Sequence, residues 1–205
     1  LVIGAPIPAP VGEDGKRVQI IMLDTRYFRS DLTRTDEYGA EGRERYIPSD
    51  NPDQDMLGSA QWAWLADQLR EPADLRLIVS SIQVLPTDGH GWESWSRVPA
   101  EQQRLYSLIS ETGANGVVFV SGDRHASFLY RSETALPYPA YELTASSLNV
   151  SFQDTTDEMD SAQVGEGFSQ DNYGAIGIDW AAGSVDLEIK NAAGETVRQT
   201  TAQFR

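Results

Sequence analysis

The sequence contains no cysteine and only two histidines among its 205 residues. The absence of cysteine excludes disulfide bonds, a thiolate nucleophile and a cysteine-rich zinc site, but it does not distinguish an oxidising from a reducing compartment. Two histidines are too few to build a histidine-rich centre for two metal ions.

Positive charge is also scarce, since 16 lysines and arginines face 31 aspartates and glutamates. The resulting net charge of −15 and pI near 4.4 argue against binding of nucleic acid through a broad basic surface. A substrate that carries phosphate would need local positive charge, either from metal ions or from a few arginines.

Long apolar runs are missing as well. No stretch approaches the roughly 18 apolar residues that span a bilayer, and residues 1–10 lack the basic region that opens a signal peptide. The sequence has no initiator methionine and begins with an apolar, proline-rich stretch. We expect a processed protein or a piece of a longer one.

Three apolar runs predict buried strands at residues 17–24, 75–82 and 117–121. Between them, apolar residues at helical spacing predict two helices. The first covers 59–70 with Ser59 as its N-cap, and the second covers 100–112 with Gly113 as its C-terminal stop. This alternation predicts a layered α/β sheet with helices packed on a face.

After residue 123 the pattern changes to strands. They are predicted at 126–131, 138–144, 175–180, 185–190 and 195–202, with short glycine turns between the last three. The fold class therefore moves from α/β to α+β, and the C-terminal third is predicted to be mostly antiparallel. Residues 26–57 are polar and interrupted by prolines, which predicts a long surface excursion.

The sharpest local feature is the string Ser-Gly-Asp-Arg-His at 121–125, directly after an apolar strand. Ligands bind at such strand ends in open α/β sheets. An extended chain would point Asp123 and His125 the same way, about 6–7 Å apart, a spacing that suits metal binding. The alternative is a simple turn in which Asp123 caps a backbone amide and His125 is a satisfied polar residue. Spacing alone favours neither.

Five ordered segments resemble the alkaline phosphatase D (PhoD-like) metallophosphatase family over residues 18–188. They are 23–27 (LDTRY), 57–65 (LGSAQWAWL), 80–84 (SSIQV) with 93–95 (ESW), 121–125 (SGDRH), and 172–174 (NYG) with 178–180 (IDW).

The resemblance implies the C-terminal part of a calcineurin-like metallophosphoesterase core, a β-sandwich flanked by helices. It implies a phosphatase or phosphodiesterase in which metal ions at the strand ends activate water. Asp123 and His125 are the expected ligands and catalytic residues, and Gln83 is a further candidate ligand. Calcium and iron are the expected ions, with manganese or zinc as alternatives. His125 could instead protonate the leaving alkoxide.

Two arginines are candidates for phosphate binding, because a guanidinium can grip phosphate oxygens in bidentate fashion. They are Arg26 and Arg124. The alternative for each is an ion pair with a carboxylate such as Asp24.

The loop after the second strand contains further candidates. Glu93 is expected near the pocket as a substrate-binding residue, against the alternative of a solvated side chain in a loop that its tryptophans, Trp92 and Trp95, anchor to the core. His90 is flanked by glycines and is interpreted as an exposed loop histidine.

The upstream motifs that bind most of the metal in this family have no match in residues 1–17. We therefore expect an N-terminal segment of the same protein to complete the site, and little activity from this chain alone. The resemblance also suggests a periplasmic or secreted protein that acts on a phosphate ester. The competing hypothesis is a noncatalytic binding or scaffold module with the same fold.

Two weaker readings involve other residues. The acidic stretch Asp154, Asp157, Glu158 and Asp160 could bind calcium, but it lacks the spacing of a calcium-binding loop and is better explained as a solvated loop. Trp62 and Trp64 could form a platform for sugars, but Trp62 lies on the apolar helix face and is predicted to be in the core.

Overall fold

The computed structural model describes residues 15–87, 90–152 and 158–204. Its elements, in chain order, are β1 (Val18–Met22), α1 (Ser59–Arg70), β2 (Leu75–Val79), a 3-10 helix (Trp95–Arg97), α2 (Pro99–Glu111), β3 (Val117–Ser121), β4 (Ser127–Ser132), β5 (Ala140–Ala145), β6 (Asn172–Asp179), β7 (Ser184–Asn191) and β8 (Thr196–Gln203). The predicted helices and strands are all present, with ends that differ by a few residues. Residues 26–57 contain isolated bridges but no strand or helix, as predicted.

The larger sheet has five strands in the order β1-β2-β3-β5-β4. Strands β1, β2, β3 and β5 run parallel to one another, whereas the edge strand β4 is antiparallel to β5. The C-terminal third is mostly antiparallel, as predicted, and the exception is the parallel pairing of β5 with β3. The chain leaves β3, forms β4 at the edge, and returns as β5 in the gap between them.

The smaller sheet is an antiparallel meander in the order β6-β7-β8. Its central strand alternates in burial, with Val185, Leu187 and Ile189 fully buried. This period of two is typical of a sheet with one face on a core. The antiparallel prediction holds for these three strands.

The five-stranded sheet is covered on both faces. One face packs against the helices, where Ile78 and Phe119 share a core with Leu65 of α1 and Leu105 of α2. The opposite face packs against the small sheet, and its core includes Val118, Leu143 and Leu187. The layers are therefore helices, five-stranded sheet and three-stranded sheet. This arrangement explains why the first strands read as continuous apolar runs.

Helix α1 begins differently from the prediction. The N-cap position belongs to Gly58 (φ +76°), and Ser59 makes no capping hydrogen bond. The carboxylate of Asp55 instead accepts the N–H groups of Leu57 (3.0 Å) and Gly58 (2.7 Å) just before the helix. A carboxylate four residues before Ser59 thus organises the turn that Ser59 was expected to organise.

Glu101 joins the end of the long loop to both helices. Its buried carboxylate accepts the N–H of Met56 and the indole N–H of Trp62, each at 2.8 Å, and the guanidinium of Arg104 at 3.0 Å. Trp62 is 3% exposed, so the predicted core position is confirmed. Within the described ranges, no helix has the length and apolar character that a bilayer crossing requires.

Candidate active site

The turn that follows β3 has an unusual backbone. Asp123 (φ +75°) and His125 (φ +53°) both occupy the left-handed region. Non-glycine residues adopt this conformation rarely, and such strain concentrates at functional sites. The segment is therefore a turn, and the spacing of about 6–7 Å that an extended chain would give does not apply to it. The turn forms because Gly122 and Asp123 redirect the chain from the end of β3 toward the edge strand β4.

A cavity of about 290 Å³ opens beside this turn. Its lining residues are Arg26, Arg45, Tyr46, Trp92, Glu93, Asp123, Arg124 and Phe152. Four predicted site residues are thus brought together, namely Arg26, Glu93, Asp123 and Arg124. His125 and Gln83, the other two predicted residues, lie outside this lining.

Glu93 is held by two arginines. Its carboxylate forms ion pairs with Arg26 and with Arg29, the latter at 3.1 Å. Burial raises the pKa of Glu93, but the hydrogen bonds and charges of Arg29 and Arg26 outweigh that effect and lower it. The solvated alternative for Glu93 is therefore wrong, and the carboxylate that pairs with Arg26 is Glu93 rather than Asp24.

The carboxylate of Asp123 faces the cavity without a hydrogen-bond donor from the described residues. Burial and the negative charge of Glu93 raise its pKa, while Arg26, Arg124 and His125 act in the opposite direction. It does not cap a backbone amide within the described part of the chain. Its carboxyl oxygens are therefore available to a ligand.

The floor of the cavity is a buried polar network. Arg124 donates from Nε to Oε1 of Glu158 at 2.5 Å, and both side chains are almost fully buried. Oε2 of Glu158 accepts the hydroxyl of Tyr130 at 2.6 Å and the amide of Gln83 at 3.0 Å. Arg124 is thus fixed by a carboxylate, as one alternative anticipated, although the partner is Glu158.

Gln83 and His90 belong to the same network, and His90 is only 6% exposed. The prediction of an exposed His90 is wrong, because its Nδ1 accepts the N–H of Trp92 (3.1 Å) and its Nε2 contacts Oε1 of Gln83 (2.8 Å). The Nε2 proton therefore points at Gln83. Burial, together with the positive charges of Arg124 and Arg97, lowers the pKa of His90 well below its usual range.

His125 is covered by an aromatic ring. Phe152 stacks on its imidazole with ring centroids 4.4 Å apart and planes inclined by 17°. The N–H of Phe152 also donates to the carbonyl of His125 at 2.8 Å, and Nδ1 of His125 lies 3.3 Å from the carbonyl of Val150. The imidazole is therefore held beside the turn by the segment that contains Val150 and Phe152.

The sequence did not identify four lining residues, Arg45, Tyr46, Trp92 and Phe152. The carbonyl of Gly91 accepts the N–H groups of Arg45 (3.1 Å) and Tyr46 (2.7 Å), which places both beside Trp92. This contact joins two loops that are far apart in the sequence. Gly91 was the sequence signal that could have indicated this contact between loops, because glycine permits close approach of another backbone.

The acidic stretch lies partly outside the described residues, which do not include Asp154 and Asp157. Glu158 and Asp160 are 3% and 7% exposed. The solvated-loop interpretation is therefore wrong for these two. Trp95 is fully buried, and its indole N–H donates to Oγ of Ser80 at 3.0 Å, which confirms the expected anchoring for this tryptophan. The same expectation is wrong for Trp92, which is 36% exposed.

Two known proteins are similar to this chain. A solved structure described as "Structure of PhoD" matches with a TM-score of 0.66 and 18% identity, covering 99% of this chain and 41% of that one. Alkaline phosphatase D of Bacillus subtilis (strain 168) is 26% identical over 170 residues, which are 78% of this chain and 26% of that protein. The chain thus spans about a quarter of the curated relative that it matches.

The model of the PhoD-like phosphatase family matches residues 13–196. This range includes all five segments on which the resemblance rests, and the resemblance is confirmed. The chain belongs to the PhoD-like phosphatase family.

Proposed function

We propose that this chain is part of a metal-dependent phosphoesterase that hydrolyses phosphate monoesters or diesters with metal-activated water. The observation that carries the proposal is the Asp123 carboxylate, which a strained turn at the end of β3 places in a cavity with arginines. Membership of a phosphatase family supports the reaction class. We also propose that the two sheets and helices form the C-terminal part of a calcineurin-like core.

The described residues fit part of a metal site. Asp123 and His125 offer one carboxylate and one imidazole, a donor pair that suits iron, manganese or zinc, and the carboxylate also suits calcium. Within residues 15–87, 90–152 and 158–204, no group of three or more His, Asp or Glu side chains is placed to hold a metal ion. Gln83 remains a weaker candidate, because its amide is already engaged in the buried network.

We therefore propose that an N-terminal segment of the same protein supplies the remaining ligands. When bound, the ions, for which calcium and iron are the leading candidates, would provide the Lewis acidity that activates the attacking water. A periplasmic or secreted location is part of the same proposal and rests on family likeness.

The arginines have distinct tasks in this proposal. Arg26 is 56% exposed at its side chain and retains donors for a phosphoryl oxygen while Glu93 holds it in place. Arg124 is buried against Glu158, so its main contribution is positive charge near Asp123 and not direct contact with the substrate. His125 either ligates metal or donates a proton to the leaving oxygen, and Phe152 limits its motion in both cases.

The test uses the natural full-length protein. Elemental analysis measures bound metal, and hydrolysis is followed with phenyl phosphate and diphenyl phosphate. Asp123→Asn removes a charged ligand without changing the side-chain size, so we expect bound metal to decrease and kcat to fall by about a hundredfold. The control is Asp67→Asn on the exposed side of α1, which should leave both measurements unchanged.

The alternative outcomes separate the hypotheses. Turnover by a metal-free protein would refute metal dependence. Bound metal without turnover of either ester, or neither metal nor turnover, would favour the noncatalytic binding module.

A further inference from the structure

One wall of the cavity is aromatic. Tyr46, Trp92 and Phe152 line it, and Trp92 and Phe152 are 36% and 55% exposed. Large aromatic side chains are normally buried, and exposed ones concentrated in a cavity are typical of ligand contact. An apolar group that covers these rings would remove them from water, which favours binding.

The wall is held in place before any ligand arrives. Gly91 fixes Tyr46 beside Trp92 through its carbonyl, and the N–H of Trp92 donates to the buried His90. Phe152 is fixed to His125 by a backbone hydrogen bond and by ring stacking. Ordering these rings therefore costs little at the moment of binding.

Arg45 adds an unpaired positive charge to the same cavity. No carboxylate of the described residues lies within ion-pair distance of its guanidinium, although the chain carries a net charge of −15. By contrast, Glu93 pairs with Arg26 and Glu158 pairs with Arg124. Arg45 therefore has its donors available for the oxygens of an anionic ligand.

We infer that the cavity accepts phosphate esters whose alcohol part carries a planar aromatic group, which lies against Trp92 and Phe152 while Arg45 holds phosphoryl oxygens. This inference rests on the proposed phosphoesterase function and specifies its substrate class. A sugar phosphate is the competing ligand, because the apolar face of a sugar ring can also lie against aromatic side chains. The experiment below distinguishes the two.

The experiment compares benzyl phosphate with ethyl phosphate in the full-length protein. The two alcohols are leaving groups of similar basicity, so a difference in kcat/KM reports recognition of the ring. We expect a preference for the benzyl ester, and we expect Trp92→Leu to reduce the benzyl-to-ethyl ratio of kcat/KM by about tenfold. The matched control is Tyr38→Leu, which removes an aromatic ring that is 72% exposed and does not line the cavity.

A second pair of variants tests the anionic contact. Arg45→Gln should raise KM for both esters by about tenfold while leaving their ratio unchanged. Arg43→Gln is its control, because Arg43 pairs with Glu37 on the same loop and lies outside the cavity lining. If Trp92→Leu fails to fold, Phe152→Leu replaces it with the same expected change in ratio.

Failure of this inference differs from failure of the proposed function. If the metal-loaded protein hydrolyses neither these two esters nor phenyl phosphate nor diphenyl phosphate, the phosphoesterase proposal fails. If both are hydrolysed with equal kcat/KM, or the ratio is the same in the aromatic variants, the substrate class is wrong. Faster hydrolysis of glucose 6-phosphate, whose leaving group is also a primary alcohol, than of benzyl phosphate would overturn it in favour of a sugar.

Discussion

Glu142 is fully buried in β5 at the centre of the fold. Its carboxyl oxygens accept the N–H groups of Val84 (2.9 Å) and Leu85 (2.6 Å). Burial raises the pKa of Glu142 from its usual 4.5 to about 7, against the opposing effect of these hydrogen bonds. Between pH 4.5 and 7 the folded protein therefore holds a proton that the unfolded chain has released.

This difference fixes the sign and size of a pH effect on stability. Because the folded state binds the extra proton, the free energy of unfolding falls as pH rises from 4.5 to 7 and then levels off. The free energy of unfolding changes by about 1.4 kcal/mol for each pH unit in this range, so the ionisation of Glu142 lowers it by about 3 kcal/mol in total. Glu142→Gln keeps the side-chain volume and one acceptor oxygen but cannot ionise. The free energy of unfolding of this variant therefore lacks the pH dependence that Glu142 causes.

The assay is urea unfolding of the purified wild-type protein and the Glu142→Gln variant at pH values from 4.5 to 8. The other titrating groups affect both proteins alike. We therefore expect the free energy of unfolding of the wild type, relative to the variant, to fall by about 3 kcal/mol across this range. A difference that stays constant would refute the reasoning, because Glu142 would then be ionised throughout and its N–H donors would outweigh burial.

Two further substitutions test the scaffold of the site. Gly91→Ala would place a Cβ atom 2.5 Å from the backbone nitrogen of Glu44. The two loops must then separate. We expect kcat/KM for phenyl phosphate to fall by about tenfold and the free energy of unfolding to fall by about 1–3 kcal/mol. The control, Gly177→Ala in β6, should keep wild-type activity. Trp62→Phe removes one donor from the buried Glu101 and should lower the free energy of unfolding by about 1–2 kcal/mol, measured by urea unfolding; an unchanged value would contradict the assigned role.

Local pattern was sufficient to predict the elements of this fold. Helix α1 was anticipated at its full extent because Trp62, Leu65 and Leu69 recur at helical spacing, and all three are buried. Strand β3 was equally clear, since a continuous apolar run is typical of a strand covered on both faces. These signals lie within single segments of the chain.

Strand order depends on contacts that no single segment encodes. Strand β5 lies between β3 and β4, so the chain forms the edge strand β4 before it forms the strand that separates β4 from β3. The burial pattern of β5 is compatible with either direction of pairing. Its parallel pairing with β3 was therefore not predictable from periodicity.

The site was predicted in part for the same reason. Asp123 was identified because it follows a buried strand, which is a local signal, and the family resemblance reinforced it. Phe152 and Arg45 reach the cavity from distant loops, and His90 looked exposed because glycines flank it. Its burial depends on Gln83 and Trp92, whose contacts with it only the folded chain reveals.

The hydrogen bonds of Gln83 also bear on how the protein folds. This one side chain bonds to Tyr130, Thr144 and Glu158, which are 47, 61 and 75 residues away in the sequence. Closing loops of this length costs conformational entropy before the contacts compensate for it. The floor of the cavity therefore belongs to the slowly assembled, non-local part of the fold, and a chain with only its local helices and hairpins formed has no binding site.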